Sequence, residues 1–233
     1  MKPGSNGIGS LNEKPLHAGL KEYCALPGDR FEVPVDRFVI DIVRGDLLIE
    51  IQTGNFSSIK RKMGMLTQNH RVRLVYPVAQ KKWIIKQSKN GRTKPGRRKS
   101  PKRGMIENAF EELVSFPQLM ADPNFSLEVL LIHEDEVRRH EPGRKWRRKG
   151  WATHERRLIS VVEHRLFETP SDIAEYIPDG MDEPFTTSQW SRAADRPVWL
   201  TRKMAYCMRK MKAIEKVGKK GNSILYRRTK ASP

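Results

Sequence analysis

The sequence predicts an α/β protein: a helix, three strands, a second helix and a further strand come first, and a second organised unit lies at the C-terminus. Three observations carry that reading. The stretch 35–53, VDRFVIDIVRGDLLIEIQT, holds two β-rich runs, 38–43 and 47–53, separated by Arg44-Gly45-Asp46, a strand–turn–strand signature. Apolar residues at helical spacing flank it, with Leu16, Leu20, Tyr23 and Cys24 before and Ile59, Met63 and Leu66 after. The chain also carries 45 Lys and Arg against 27 Asp and Glu, a net charge of +18, and an excess of that size calls for a polyanionic partner.

The elements follow in order. Residues 1–10 are rich in Gly and Ser, and that composition predicts disorder. Asn12 stands before Glu13 and Pro15 as a helix start signal, and Pro27-Gly28 closes the helix. Residues 31–33 read as a short strand leading into the hairpin. Gly45 can take the positive φ of the first central position of a type II′ turn. Arg44 then pairs with Leu47, and counting outward places Asp41 opposite Glu50, about 5 Å apart at Cβ on one face, with Gln52 two residues on. Facing carboxylates destabilise a sheet unless something lies between them, and a divalent cation with its preference for oxygen ligands would serve. A solvent-facing edge with both acids hydrated, or a turn closing one residue earlier, explains the same letters. Gly54-Asn55 breaks the second strand, Ser57 caps a helix reaching about residue 68, and VRLVYPV at 72–78 reads as a strand in parallel pairing after that helix, with 83–85 as another.

Asp41, eight intervening residues, then Glu50-Ile51-Gln52 in an apolar hairpin resembles the PD-(D/E)XK nuclease superfamily, with its restriction-endonuclease-like αβββαβ core. The resemblance covers residues 11–88. It implies that Asp41 and Glu50 are ligands of Mg²⁺ or Mn²⁺, that the Ile51 carbonyl lies near the metal, and that Glu13 on the first helix completes the acidic cluster. Glu13 equally suits a helix first turn, where an acid complements the dipole. The family's lysine position holds Gln52 here, and an amide supplies neither a base nor a cation. Lys60 or Lys62, one turn into the second helix, are alternative sources of that charge, although Lys and Arg runs on helices usually form a solvated face.

Between Lys86 and Arg103 stand nine Lys or Arg and no acid. Residues 89–104 therefore read as a basic linker or loop adding salt-sensitive affinity for phosphates, with Arg97, Arg98 and Lys99 as its densest cluster. Residues 105–168 read as an α/β extension: a helix at 106–120, a strand at 125–132 and a long basic hairpin. Trp146 and Trp151 sit in that hairpin among Arg144, Lys145, Arg147, Arg148 and Lys149. The aromatics either stack on bases while the cations hold phosphates, or pack on the sheet beneath the cations.

The last unit, 169–233, begins with a short helix at 170–177. Thr186 to Gln189 is a capping box, and Pro197 suits the start of a third helix. Residues 214–217 and 223–228 form a hairpin with a basic tip. This order resembles the winged helix-turn-helix fold. By that resemblance Arg202, Lys203, Tyr206 and Arg209 are recognition residues and Lys219 and Lys220 belong to the wing.

No apolar run approaches the roughly 20 residues of a spanning helix, and the N-terminus lacks the apolar centre of a signal peptide. Cys24 and Cys207 stand far apart without metal-ligand spacing, and His133, His140, His154 and His164 are scattered. Reduced thiols and a cytoplasmic setting are expected, with no zinc site. The expected partner is nucleic acid, DNA ahead of RNA, with no membrane, and a second copy of the chain is admissible. Two functions compete: a metal-dependent nuclease, favoured by Asp41 and Glu50, and a catalytically silent DNA-binding relative, favoured by Gln52. An RNA-binding protein shares the charge and the aromatics.

Overall fold

The computed structural model describes residues 14–87, 96–141 and 150–229. The expectations for residues 1–10, Asn12, Glu13, Trp146, Arg147 and Arg148 lie outside them. Helix α1 (Pro15–Cys24) precedes strands β1 (Arg30–Val35), β2 (Phe38–Arg44) and β3 (Leu47–Ile51). Helix α2 (Phe56–Leu66) crosses to β4 (Arg71–Gln87). Its N-cap is Asn55 in the left-handed region at φ 59°, not Ser57. The predicted strands at 72–78 and 83–85 are one strand of 17 residues, β4, whose pairing shifts between Ala79 and Lys81.

Strand β5 (Gly96–Lys99) comes from the predicted basic linker. Short helical turns follow at Ile106–Ala109, Phe110–Leu113 (α3) and Pro117–Ala121, then the long hairpin β6 (Phe125–His140) and β7 (Trp151–Phe167). Among the described residues the sheet has seven strands, ordered β1-β2-β3-β4-β6-β7 with β5 on β4. Pairing is parallel between β3 and β4 and between β4 and β6, and antiparallel elsewhere. The predicted core, linker and extension thus share one sheet, the linker's described part as β5 and the strap after it.

The sheet is covered on both faces. Leu16 and Leu20 of α1 join Ile42, Ile49, Ile51, Val75, Leu130 and Ile132 on one side. On the other, Phe56, Met63 and Leu66 of α2 pack with Leu48, Leu74, Leu127 and the rings of Phe110, Phe116 and Phe125. That second core runs without a break into the C-terminal unit: α4 (Pro170–Ala174), α5 (Thr187–Ala193), α6 (Val198–Lys210) and the hairpin β8 (Ile214–Lys220) with β9 (Ser223–Arg228). The expected capping box is present, with the Thr186 hydroxyl accepting from the Gln189 N–H. Phe185 exchanges backbone hydrogen bonds with Tyr226 in both directions, 2.9 and 2.8 Å, adding a bridge beside β9. Arg196 Nε donates to Glu107 Oε1 at 2.7 Å, tying α6's entry to the turn at Ile106. No helix among the described residues is long and apolar enough to cross a membrane.

Along one edge of β4, β3 pairs with Arg71 to Val75 and β5 with Trp83 to Lys86, which leaves a gap between them. A strap, 100–104, bridges that gap, and Gly104 N–H donates to the Ala79 carbonyl at 2.9 Å. A Cβ on Gly104 would sit 2.6 Å from both that oxygen and Val78 Cγ1, so the close approach requires glycine. Gly104→Ala is predicted to cost about 1–3 kcal/mol through overpacking, which lowers the melting temperature by roughly 2–12 °C in a chain of this size. An unchanged melting curve in calorimetry would show that the strap is not held this tightly.

Candidate functional site

The ladder between β2 and β3 runs Arg44↔Leu47, Val43↔Leu48 and Ile42↔Ile49 and then stops. This is the expected register, and Gly45 takes the positive φ of 57° that the turn requires. Beyond Ile42 the strands splay. The next buried amide, Ile51 N–H, needs an acceptor and finds it in the Asp41 carboxylate, Oδ2 at 2.8 Å. Asp41 therefore replaces a backbone partner at the end of the hairpin. On the other side of β3 the Gln52 N–H donates to the Val75 carbonyl at 2.9 Å. Strand alternation then turns the Ile51 carbonyl toward β2, past the last paired residues.

Two helices close on this gap from opposite faces. His17 of α1 approaches Asp41 Oδ2 through Nε2 at 3.2 Å. Lys62 of α2 donates from Nζ to Glu50 Oε1 at 2.6 Å and to the Val39 carbonyl at 2.7 Å. Glu50 is only 8% exposed, and its second oxygen, Oε2, is buried without a hydrogen-bond partner. Burial pushes the Asp41 carboxyl up, but the His17 hydrogen bond and charge, the Ile51 amide and Lys62 outweigh it and hold the group below its ordinary value. Glu50 goes the other way: burial, then the Asp41 charge, raise it, and Lys62 offsets them only in part.

The expected direct pairing of Asp41 with Glu50 is not formed, because the ladder ends at Ile42↔Ile49; Asp41 reaches the Ile51 amide instead, and its charge still raises Glu50. Gln52 does not supply a donor to them, since its amide nitrogen is spent on the carbonyls of Gly54 and Asn55. The cation beside Glu50 is Lys62, 16% exposed in its side chain, so the expectation of a wholly solvated helix face fails at that position. Lys60 stays exposed. Because Lys62 leans on Glu50, removing Glu50 strips a half-buried ammonium of its partner, so relief of like-charge repulsion is not the whole effect. The sequence offered Lys62 only alongside Lys60 and did not assign His17 to the gap; both contacts depend on where α1 and α2 cross the sheet.

A cleft of about 680 Å³ opens beside the site, starting at Thr53 and running over Tyr76 to Ala79 under the strap. Its floor carries an ion network on the extended ends of β4, β6 and β7. Lys82 Nζ lies 2.9 Å from Glu134 and 2.8 Å from Glu136. Arg138 donates to Glu136 at 2.7 Å and Arg156 to Glu134 at 2.6 Å, while Arg156 also reaches the Thr53 carbonyl at 3.2 Å. Glu134 and Glu136 stand two apart on β6, so one face of the strand carries both. Burial works against Glu136, but hydrogen bonds and charge from Lys82 and Arg138, with the Thr153 hydroxyl, bring it down to about 2.

The basic run Arg97, Arg98, Lys99 is divided by its strand. Arg97 stacks over Trp83 at 4.6 Å and pairs with Asp135 at 3.0 Å, while Arg98 lines the cleft and Lys99 is exposed. They do not act as one patch. Trp151 packs under Lys86, 4.6 Å from its ring, and against His140. On α6, Arg202, Tyr206 and Arg209 are exposed with Trp199, Lys203 is half-buried, and Lys219 and Lys220 lie exposed at the β8 tip. Among the described residues no three His, Cys, Asp or Glu side chains converge as a ready metal cluster.

The structure therefore defines a mixed-sheet α/β protein with a carboxylate–lysine site at a splayed hairpin and a helical unit sharing its core. The chain belongs to the family described as a domain of unknown function (DUF8091), whose model matches residues 14–168. That span takes in α1 through the end of β7, so the core, linker and extension expected from the sequence fall within one family domain. An uncharacterized protein of Treponema pallidum (strain Nichols) is 27% identical over 179 residues, covering 76% of this chain and 71% of that protein. No solved structure matches the chain.

The network on β6 has a pH signature. A carboxyl held below its ordinary 4.5, here at about 2, contributes stability that is present above pH 4.5 and lost as pH falls toward 2. Glu136→Gln is predicted to melt below wild type at pH 7, with the difference shrinking between pH 4.5 and 2. A gap as wide at pH 3 as at pH 7 would show that Glu136 does not hold this charge-dependent role.

Proposed function

We propose that the protein is a metal-dependent nuclease acting on DNA, with the active centre at Asp41, Glu50 and Lys62 and with a winged helix-turn-helix unit at 169–229. The observation that carries the reading is the convergence of two carboxylates of split acidity and a lysine on the gap where β2 leaves β3. The donor set suits Mg²⁺ or Mn²⁺: the Asp41 carboxylate, the partnerless Glu50 Oε2 and the Ile51 carbonyl would hold it, all hard oxygen ligands. Such an ion polarises a phosphate and lowers the pKa of an attacking water.

The chain's own groups do the rest. The Ile51 N–H and His17 fix the Asp41 carboxylate in place. Lys62 gives one donor to Glu50 and one to Val39, so of an ammonium's three donors the third is left to face a water or a phosphate oxygen. It thereby takes over the charge that Gln52 cannot provide, which weakens the case for a catalytically silent relative.

The C-terminal order of helix, bridging strand, two helices and hairpin supports a winged helix. The exposed Arg202, Tyr206 and Arg209 on α6 face outward for a groove, and Lys219 and Lys220 at the tip suit a wing on phosphates. DNA, rather than RNA, is the substrate this unit favours.

The test is cleavage of linear and supercoiled DNA with Mg²⁺ or Mn²⁺ by the full chain. Asp41→Asn is expected to abolish cleavage with DNA affinity near wild type. Lys62→Met should lower the rate by about 10²–10³, the usual loss when a charge-stabilising donor is removed. Equal cleavage by wild type and both variants, or none by any of them, would overturn the assignment.

A further inference from the structure

The cleft beside the site has no part in the chemistry above, yet it is built from distant segments. Its lining runs along β4 from Tyr76 and Val78 to Lys82 and Ile84, and Arg156 ties it to Thr53, three residues past Glu50. Its roof is the strap, and the Gly104 amide on Ala79 holds the two together. Six cationic side chains line it against two carboxylates. Those on the floor are satisfied by Glu134 and Glu136. The three on the strap side, Arg98, Lys102 and Arg103, make no ion pair among the described residues and are exposed.

We propose that this cleft binds an unpaired strand of nucleic acid and leads it past Thr53 to Asp41 and Glu50. The delivery half of the statement rests on the nuclease reading; the binding half does not. A pocket of about 680 Å³ falls in the range of roughly 300–1,000 Å³ that encloses small ligands. A duplex is a stiff rod and cannot enter it, whereas a single strand can lay successive nucleotides into it. The strap guanidiniums and ammonium would neutralise phosphates as the strand tracks the groove. Tyr76, Pro77, Val78 and Ile84 offer an apolar floor to bases. Charge along the backbone with apolar or aromatic surface beneath the bases is the general solution for single strands. The substrate class that follows is DNA with an unpaired end or branch.

The test compares a fluorescein-labelled dT12 with a labelled blunt 12-bp duplex in anisotropy titrations at several salt concentrations, using the full chain. Arg98→Gln/Arg103→Gln should weaken dT12 binding at least about tenfold and flatten its salt slope by about 1.4, at about 0.7 per phosphate lost on a single strand, with duplex affinity within twofold. Arg98→Lys/Arg103→Lys should bind dT12 nearly as wild type, which guards against a folding defect, and melting curves check the Gln variant. Equal losses on dT12 and duplex, or no loss on either, would overturn the proposal. So would thymidine monophosphate displacing dT12 as effectively as unlabelled dT12 at equal phosphate, since the cleft would then be a mononucleotide site. Failure of wild type to cleave would sink the nuclease reading alone and leave this comparison standing.

Discussion

One hydrogen bond organises the site: Ile51 N–H to the Asp41 carboxylate. A β-hairpin that kept its ladder beyond Ile42↔Ile49 would have met that amide with a backbone carbonyl, and no room would remain between the strands. Because a side chain serves as acceptor instead, β2 can leave β3 while the buried amide stays satisfied, as the cost of an unpaired buried donor requires. The gap that opens admits His17 from one face and Lys62 from the other. It also leaves Glu50 buried with one oxygen paired and one not. An unpartnered carboxylate oxygen in that position is costly unless a cation meets it.

The sheet's second half depends on a different device. Strands β4, β6 and β7 outrun the helices that cover the core, and past the shift at Ala79 one face changes from apolar to charged. Glu134, with no exposure at all, could not be buried there without Lys82 and Arg156 around it. The polar network lets the sheet extend into a cleft, and the strap roofs it. The C-terminal unit is equally dependent on its neighbours, because α6 buries Leu200, Met204 and Met208 in the same cluster as Phe110 and Phe116. It is part of one folded body, not a module on a tether.

Much of this was legible in the sequence because it is local. The hairpin register follows from Gly45 and period-two alternation, and α5 and α6 follow from the Thr186 capping box and Pro197. Counting along the two strands places Asp41 opposite Glu50, but the ladder stops one pair short of them. Lys62 and His17 were not legible in the same way, since their contacts span 12 and 24 residues and depend on helix placement. The run 96–99 was misleading for a physical reason: composition that is too polar to form a core can still form an edge strand when an existing strand offers its free edge. Arg97, Arg98 and Lys99 look like one patch in sequence, but a strand sends neighbours to opposite faces.

The central claim is that a divalent cation belongs between Asp41 and Glu50. Crystals of the full chain soaked in Mn²⁺ and measured at the manganese absorption edge test it most directly. The account predicts an anomalous peak in the gap, touching the Asp41 carboxylate and Glu50 Oε2, with Lys62 still on the other Glu50 oxygen; the Asp41→Asn crystal should lose it. A wild-type map without a peak there, with Glu50 held by Lys62 alone, would contradict it.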